Sequence, residues 1–102
     1  MTNVVQIIKP EQLANMLKNE ENVSVIDVRE NDEVSAGKIP SAMHIRLADI
    51  PYRYQELDTS KEYVLVCRSG RRSEKATEFL QEKGFNVKNM IGGMLKWRGD
   101  VE

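Results

Sequence analysis

The feature that most constrains this chain is a strand, a turn and a helix grouped around its only cysteine. Residues 64–67 are β-prone and apolar, which is typical of a strand buried on both faces of a parallel sheet. From Ser73, apolar residues recur at helical spacing, which predicts an amphipathic helix that ends at Gly84. Cys67 therefore falls at the carboxyl end of a strand, where open α/β sheets build their sites.

The turn at residues 68–73 is predicted to form an anion cradle. Successive backbone N–H groups can converge in such a turn, and the helix that follows adds partial positive charge at its N-terminus. The nearest anion is the Cys67 thiolate. We expect this field, together with Arg68, Arg71 and Arg72, to lower the pKa of Cys67 and make the sulfur nucleophilic. The alternative is a small buried hydrophobe, but three neighbouring arginines favour the reactive cysteine.

Strand and helix patterns alternate along the rest of the chain. Further strands are predicted at residues 4–8, 23–28, 43–45 and 87–91, and further helices from Pro10 and over residues 31–37. This alternation predicts an α/β sandwich with a parallel sheet of four or five strands and helices on both faces.

Length and charge limit the class of protein. A chain of 102 residues predicts one domain over residues 1–102. The formal charge of −1 makes the basic turn a local feature, so we expect a small anion as ligand and no nucleic-acid partner. The N-terminus lacks the basic segment of a signal peptide, and no stretch approaches membrane-spanning length. We therefore expect a cytoplasmic monomer without a membrane partner.

The single cysteine limits the chemistry. It excludes an intramolecular disulfide, and we expect neither a metal site nor a cofactor. The chain also lacks a resolving thiol, so sulfur bound to Cys67 has to leave to an outside acceptor.

These motifs resemble the rhodanese family of sulfurtransferases. Residues 67–73 match the Cys-Arg-Ser-Gly-x-Arg-Ser loop of its single-domain members. Residues 26–30 resemble its first signature, residues 37–42 the turn that follows, and residues 92–97 its C-terminal motif. The resemblance covers essentially the whole chain and implies a rhodanese-like three-layer sandwich.

The resemblance also implies a reaction. In this family the loop cysteine attacks the outer sulfur of a donor, becomes a persulfide and passes the sulfur on. Cys67 would take this catalytic role, with thiosulfate, a persulfide or a polysulfide as donor and a thiol, cyanide or a protein as acceptor. Arg68 and Arg72 would hold the anionic donor, and Arg71, at a variable position, is a weaker candidate. The implied substrate-binding residues are Arg68, Ser69, Gly70, Arg71, Arg72 and Ser73.

Several polar residues outside the loop receive structural assignments. Asp27, near the end of a strand, is expected to brace a loop through Arg29 or backbone donors. Lys38 and Ser41 stand where many family members have histidine and glycine, and Ser41 argues against a positive φ at that position. The only histidine, His44, is expected to be structural.

The C-terminal segment is predicted to close the site. The paired glycines 92 and 93 should turn toward the Cys67 loop. Trp97 is expected in the core, and residues 98–102 are expected to form a frayed tail.

Two other classes of function compete with sulfur transfer. A persulfide carrier or binding module for a partner protein would use the same fold, although the complete loop around Cys67 favours chemistry. A cysteine phosphatase or an arsenate reductase-type enzyme would also use a thiolate in an anion cradle. Protein tyrosine phosphatases have Cys-x5-Arg, whereas here Arg72 comes one residue earlier, so we expect no useful phosphatase activity.

Overall fold

The computed structural model describes residues 4–102, which contain one five-stranded parallel sheet. Its order is β1-β5-β4-β2-β3. The strands are β1 Ile7–Ile8, β2 Ser24–Asp27, β3 Met43–His44, β4 Glu62–Val66 and β5 Asn86–Met90. The predicted parallel α/β architecture is confirmed, with five strands.

Helices cover both faces of the sheet, as predicted. The α-helices are α1 Pro10–Lys18, α2 Asn31–Ser35, α3 Ile50–Arg53 and α4 Arg71–Glu82, and 3₁₀ turns occupy Leu47–Asp49, Tyr54–Glu56 and Gly93–Lys96. None of the helices within residues 4–102 has the length and apolar character needed to cross a membrane.

The central strand β4 explains why the sheet is buried on both faces. Leu65 and Cys67 pack in one core with apolar residues of α4, whereas Val64 and Val66 pack in the other with α1. Side chains alternate along a strand, so four consecutive apolar residues supply both cores. Cys67 directly follows this strand, which lies between β5 and β2 in the sheet.

Two backbone predictions are corrected. Helix α4 begins at Arg71 rather than Ser73, because Gly70, with a φ of 101°, turns the chain directly into the helix. Ser41 has a φ of 68° despite lacking the freedom of glycine. The turn around it is closed by the bond from Ala42 N to Ile39 O at 3.1 Å. The left-handed conformation at Ser41 costs about 1–2 kcal/mol.

The prediction of a frayed tail is wrong. Glu102 and Lys38 exchange two backbone hydrogen bonds, of 3.2 and 2.9 Å, and their side chains form an ion pair. The indole of Trp97, which lies in the core as predicted, donates to Asp100 O at 2.9 Å. The C-terminal residues therefore tie down the turn that begins at Gly37.

Candidate active site

The Cys67 sulfur lies beneath the loop at residues 68–73 and is fully buried. The backbone N–H groups of Gly70 and Ser73 point at Sγ from 3.1 and 3.4 Å, and Ser73 Oγ lies 3.3 Å from it. The left-handed conformation of Gly70 turns its N–H inward. The loop thus surrounds the sulfur with hydrogen-bond donors.

These contacts decide the acidity of the thiol. Burial raises the pKa of Cys67. Hydrogen bonds from the Ser73 side chain and from the backbone of Ser73, Gly70 and Ser69 lower this pKa, and together they outweigh the effect of burial. The net pKa lies below the usual value for cysteine. The main lowering contributions come from hydrogen bonds, whereas the sequence interpretation also relied on the charges of three arginines.

The Gly92–Gly93 turn docks against this loop through the main chain. Met94 N donates to Cys67 O at 2.8 Å, and Leu95 N donates to Arg68 O at 3.1 Å. Gly93 has a φ of 58°, and a Cβ built on it would lie 2.4 Å from Arg68 O. The predicted approach of the paired glycines to the Cys67 loop is therefore confirmed, and it leaves no room for a side chain at residue 93.

The three loop arginines have different surroundings. Arg72 donates both terminal nitrogens to Glu33 on α2, at 2.7 and 2.8 Å, and this hydrogen bonding lowers the pKa of Glu33 from 4.5 to about 2. Arg68, Ser69 and Arg71 are exposed. In the part of the chain that the structure describes, neither Arg68 nor Arg71 has an ion-pair partner. The loop thus presents two unpaired cations and one paired cation.

Asp27 and Arg29 form a buried ion pair beside the site. The carboxylate accepts from the Arg29 backbone N–H and from its guanidinium, with distances of 2.8–3.1 Å. The same guanidinium donates to Gly37 O at 2.7 Å, and His44 Nε2 donates to Arg29 O at 2.7 Å. These residues join the end of β2 to β3 and to the turn at Gly37.

Asn89 is a site residue that the sequence analysis missed. It lies on β5 and is only 2% exposed. Its Oδ1 accepts from Ser73 Oγ at 2.5 Å, and its Nδ2 donates to Gly70 O at 3.1 Å. The available signal was a polar side chain between Val87 and Met90 in a buried strand, since such a group requires hydrogen-bond partners.

Comparison with known proteins identifies the family. Residues 9–100 match the rhodanese-like domain family. The chain belongs to this family. It is 43% identical over 98 residues to YtwF of Bacillus subtilis (strain 168), a protein provisionally named a sulfurtransferase, and this alignment covers 96% of the present chain and 95% of the relative. It is 35% identical to a protein of Allochromatium vinosum named sulfurtransferase, with 92% and 89% of the two chains covered.

Solved structures give the same result for the rhodanese-like fold. A rhodanese-like domain protein from Staphylococcus aureus superposes with a TM-score of 0.90 at 32% identity. The superposition covers 96% of the present chain and 97% of the other. The family resemblance inferred from the sequence motifs is therefore confirmed.

The rhodanese-like loop has the properties of an anion-stabilising nucleophile site. It combines a thiol of lowered pKa with convergent N–H donors and two exposed guanidinium groups. Within residues 4–102, no group of three or more histidine, cysteine or acidic side chains is arranged to hold a metal ion.

Proposed function

We propose that this protein is a sulfurtransferase that carries sulfane sulfur as a persulfide on Cys67. The observation that carries the proposal is the set of donors from Gly70 and Ser73 that converge on Sγ. They stabilise negative charge on sulfur. The named activity of its relatives supports the same reaction class.

The reaction takes two displacements at sulfur. The Cys67 thiolate attacks the outer sulfur of thiosulfate, a bond forms from Sγ to that sulfur, the S–S bond of the donor breaks, and sulfite leaves with the electron pair. A thiolate or cyanide acceptor then attacks the outer sulfur of the persulfide, and Cys67 leaves as thiolate. Persulfides and polysulfides would act as donors in the same way. A reducing compartment such as the cytoplasm suits this cycle, because Cys67 must return as a thiol.

The acceptor has to come from outside the chain. Cys67 is the only cysteine, so no second thiol of this chain can displace the sulfur by forming a disulfide. A protein acceptor that takes the sulfur directly is compatible with this arrangement, and in that case turnover with small acceptors would be incidental.

The arrangement of Arg72 argues against phosphatase activity. A cysteine phosphatase uses the arginine of its loop to hold the phosphoryl oxygens. Here the Arg72 guanidinium is engaged by both carboxylate oxygens of Glu33. Hydrolysis of an aryl phosphate that depended on Cys67 would contradict our assignment.

Intact-mass spectrometry of the reduced protein after incubation with thiosulfate tests the proposal. We expect the wild type to gain the mass of one sulfur, and cyanide or a reductant to remove it. The Cys67→Ser variant should gain nothing, because a hydroxyl at this position is not a nucleophile toward sulfane sulfur. Failure of the wild type to gain sulfur from thiosulfate and also from polysulfide would overturn the proposal.

We also propose that the exposed Arg68 and Arg71 bind the anionic donor. The sequence motif favours Arg72 over Arg71 for this role, but the Arg72 guanidinium is paired with Glu33, so we infer that Arg72 positions the loop instead. Arg68→Ala or Arg71→Ala is expected to raise the thiosulfate concentration for half-maximal loading about threefold to tenfold, as loss of one partly solvated charge contact predicts. Both variants should also show a weaker dependence of loading on salt. Arg72→Ala should shift half-saturation less than Arg68→Ala.

The matched control for this experiment is Arg53→Ala. Arg53 is paired with Glu56 on α3 and the 3₁₀ turn that follows it, outside the Cys67 loop. We expect its half-saturation to equal that of the wild type. If neither Arg68→Ala nor Arg71→Ala differed from this control, the donor-binding role would be wrong.

A further inference from the structure

The Ser73 hydroxyl has one hydrogen and two neighbours that can accept it. Its Oγ lies 2.5 Å from Asn89 Oδ1 and 3.3 Å from Cys67 Sγ. Ser73 and Cys67 are fully buried, and Asn89 is nearly so. Since a hydroxyl donates one hydrogen bond, it can serve the asparagine or the sulfur but not both.

The orientation of the Asn89 amide fixes which neighbour is served at rest. Nδ2 lies 3.1 Å from Gly70 O, and a carbonyl oxygen only accepts hydrogen bonds, so the NH₂ group must face Gly70. Oδ1 therefore faces Ser73 and accepts its hydrogen. The Ser73 oxygen is then free to accept a hydrogen from the thiol of Cys67.

We propose that Asn89 is a positioning residue that holds the Ser73 hydroxyl hydrogen while Cys67 is a thiol and must release it to the sulfur when Cys67 ionises. In the thiol state, the Cys67 S–H donates a hydrogen bond to Ser73 Oγ, and the Ser73 O–H donates one to Asn89 Oδ1. In the thiolate state the hydroxyl turns to Sγ, and the buried Oδ1 loses its donor. An unmade buried hydrogen bond opposes ionisation, so Asn89 restrains the acidity that the loop confers.

This restraint on ionisation has a use in sulfur transfer. Only this use, and not the effect of Asn89 on the pKa of Cys67, rests on the proposed function. A thiol of lower pKa gives a less nucleophilic thiolate but a better leaving group. By keeping the pKa of Cys67 higher, Asn89 makes each thiolate that forms a stronger nucleophile toward the donor, although fewer thiolates are present. Once the persulfide forms, its charge lies on the outer sulfur, farther from Ser73, and the hydroxyl can return to Asn89.

The charged groups around Cys67 remain unchanged when Asn89 is replaced. They are Arg68, Arg71 and Arg72 on the loop and α4, Glu33 on α2, and the Asp27–Arg29 pair at the end of β2. Asn89 itself is uncharged, so replacing it with another neutral residue alters the hydrogen bonding of Ser73 without adding or removing a charge.

A double-mutant cycle on the acidity of Cys67 tests the proposal. The pKa is measured from the pH dependence of thiol alkylation in the wild type, Asn89→Ala, Ser73→Ala and the double variant. Asn89→Ala is expected to lower the pKa, with an increase of about threefold to tenfold in the thiolate-to-thiol ratio at a fixed pH. Ser73→Ala should raise the pKa. The double variant should match Ser73→Ala, because Asn89 acts through the hydroxyl.

The cycle separates this role from loss of structure. Both Asn89→Ala and the double variant lose the hydrogen bond to Gly70 O. A shift of the Cys67 pKa caused by that loss would therefore be equally large with and without the Ser73 hydroxyl. An equal shift, no shift or a raised pKa in Asn89→Ala would overturn the proposal. Asn89→Leu, which keeps the side-chain volume, repeats the cycle if the alanine variant does not fold. Asn86→Ala, at an exposed position of β5, is the control.

A second measurement separates the two half-reactions. Relative to wild type, Asn89→Ala is expected to load sulfur more slowly per thiolate and to release it to cyanide faster. If thiosulfate and polysulfide load no protein at all, the proposed function fails, whereas the cycle on the Cys67 pKa still decides the role of Asn89.

Discussion

The Asp27→Ala variant is expected to lose about 3–5 kcal/mol of the free energy of unfolding. Asp27 is fully buried and accepts hydrogen bonds from the backbone and the guanidinium of Arg29. Its removal leaves a buried cation without a counter-charge. Since domains of this size are stable by about 5–15 kcal/mol, the midpoint of urea unfolding should fall sharply.

Two comparisons show whether the loss comes from the unpaired charge. Glu56→Ala breaks the exposed ion pair with Arg53 and should change stability far less than Asp27→Ala, because solvent screens exposed charges. Combining Asp27→Leu with Arg29→Met removes both buried charges and should recover much of the lost stability. If Asp27→Ala costs no more than Glu56→Ala, the buried pair does not brace the fold.

The Gly93→Ala variant is expected to disrupt the site itself. Its Cβ would lie 2.4 Å from Arg68 O and 2.6 Å from Cys67 O, and these are backbone atoms that cannot turn aside. These clashes add to the strain of a side chain at a φ of 58°. We therefore expect the free energy of unfolding to fall by about 3 kcal/mol or more. Separation of the two loops should remove donors from the sulfur, so the pKa of Cys67 should rise and sulfur loading should fall to background.

Gly84→Ala is the matched control for this substitution. Gly84 also has a positive φ, of 93°, but a Cβ there would meet no atom within 4 Å. We expect this variant to lose only about 1–2 kcal/mol from backbone strain and to keep the thiol pKa of the wild type. Equal loss of stability in both variants, with the Cys67 pKa unchanged, would show that close packing at Gly93 is unimportant.

The sequence could predict what depends on local periodicity and on its short motifs. The apolar run before Cys67 predicts a central strand, and the helical spacing that follows predicts α4. The paired glycines predict a tight turn toward the loop. Each of these rests on residues close together in the chain, where propensity and spacing act directly.

Contacts between distant segments could not be predicted in this way. Arg72 and Glu33 are both charged surface residues in the sequence, and only the placement of α2 against α4 brings them together. The pairing of Glu102 with Lys38 likewise depends on residues 98–102 lying next to the turn that begins at Gly37. Ser41 adopts a left-handed backbone because the closure of its turn outweighs its own preference.

The donors around the Cys67 sulfur are largely main-chain groups. Substitutions in and around the loop can therefore have two different consequences. An N–H group is the same whichever side chain its residue carries, so replacements at the exposed Arg68, Ser69 and Arg71 can change which anion the loop attracts while the donors around the sulfur persist. Replacements at Gly93, where the Gly92–Gly93 turn contacts the backbone of the Cys67 loop, alter the arrangement of these donors. If the loop binds its donor as proposed, substitutions at these few exposed positions can change substrate preference during evolution, whereas substitutions at Gly93 are selected against because they disturb the groups around the sulfur.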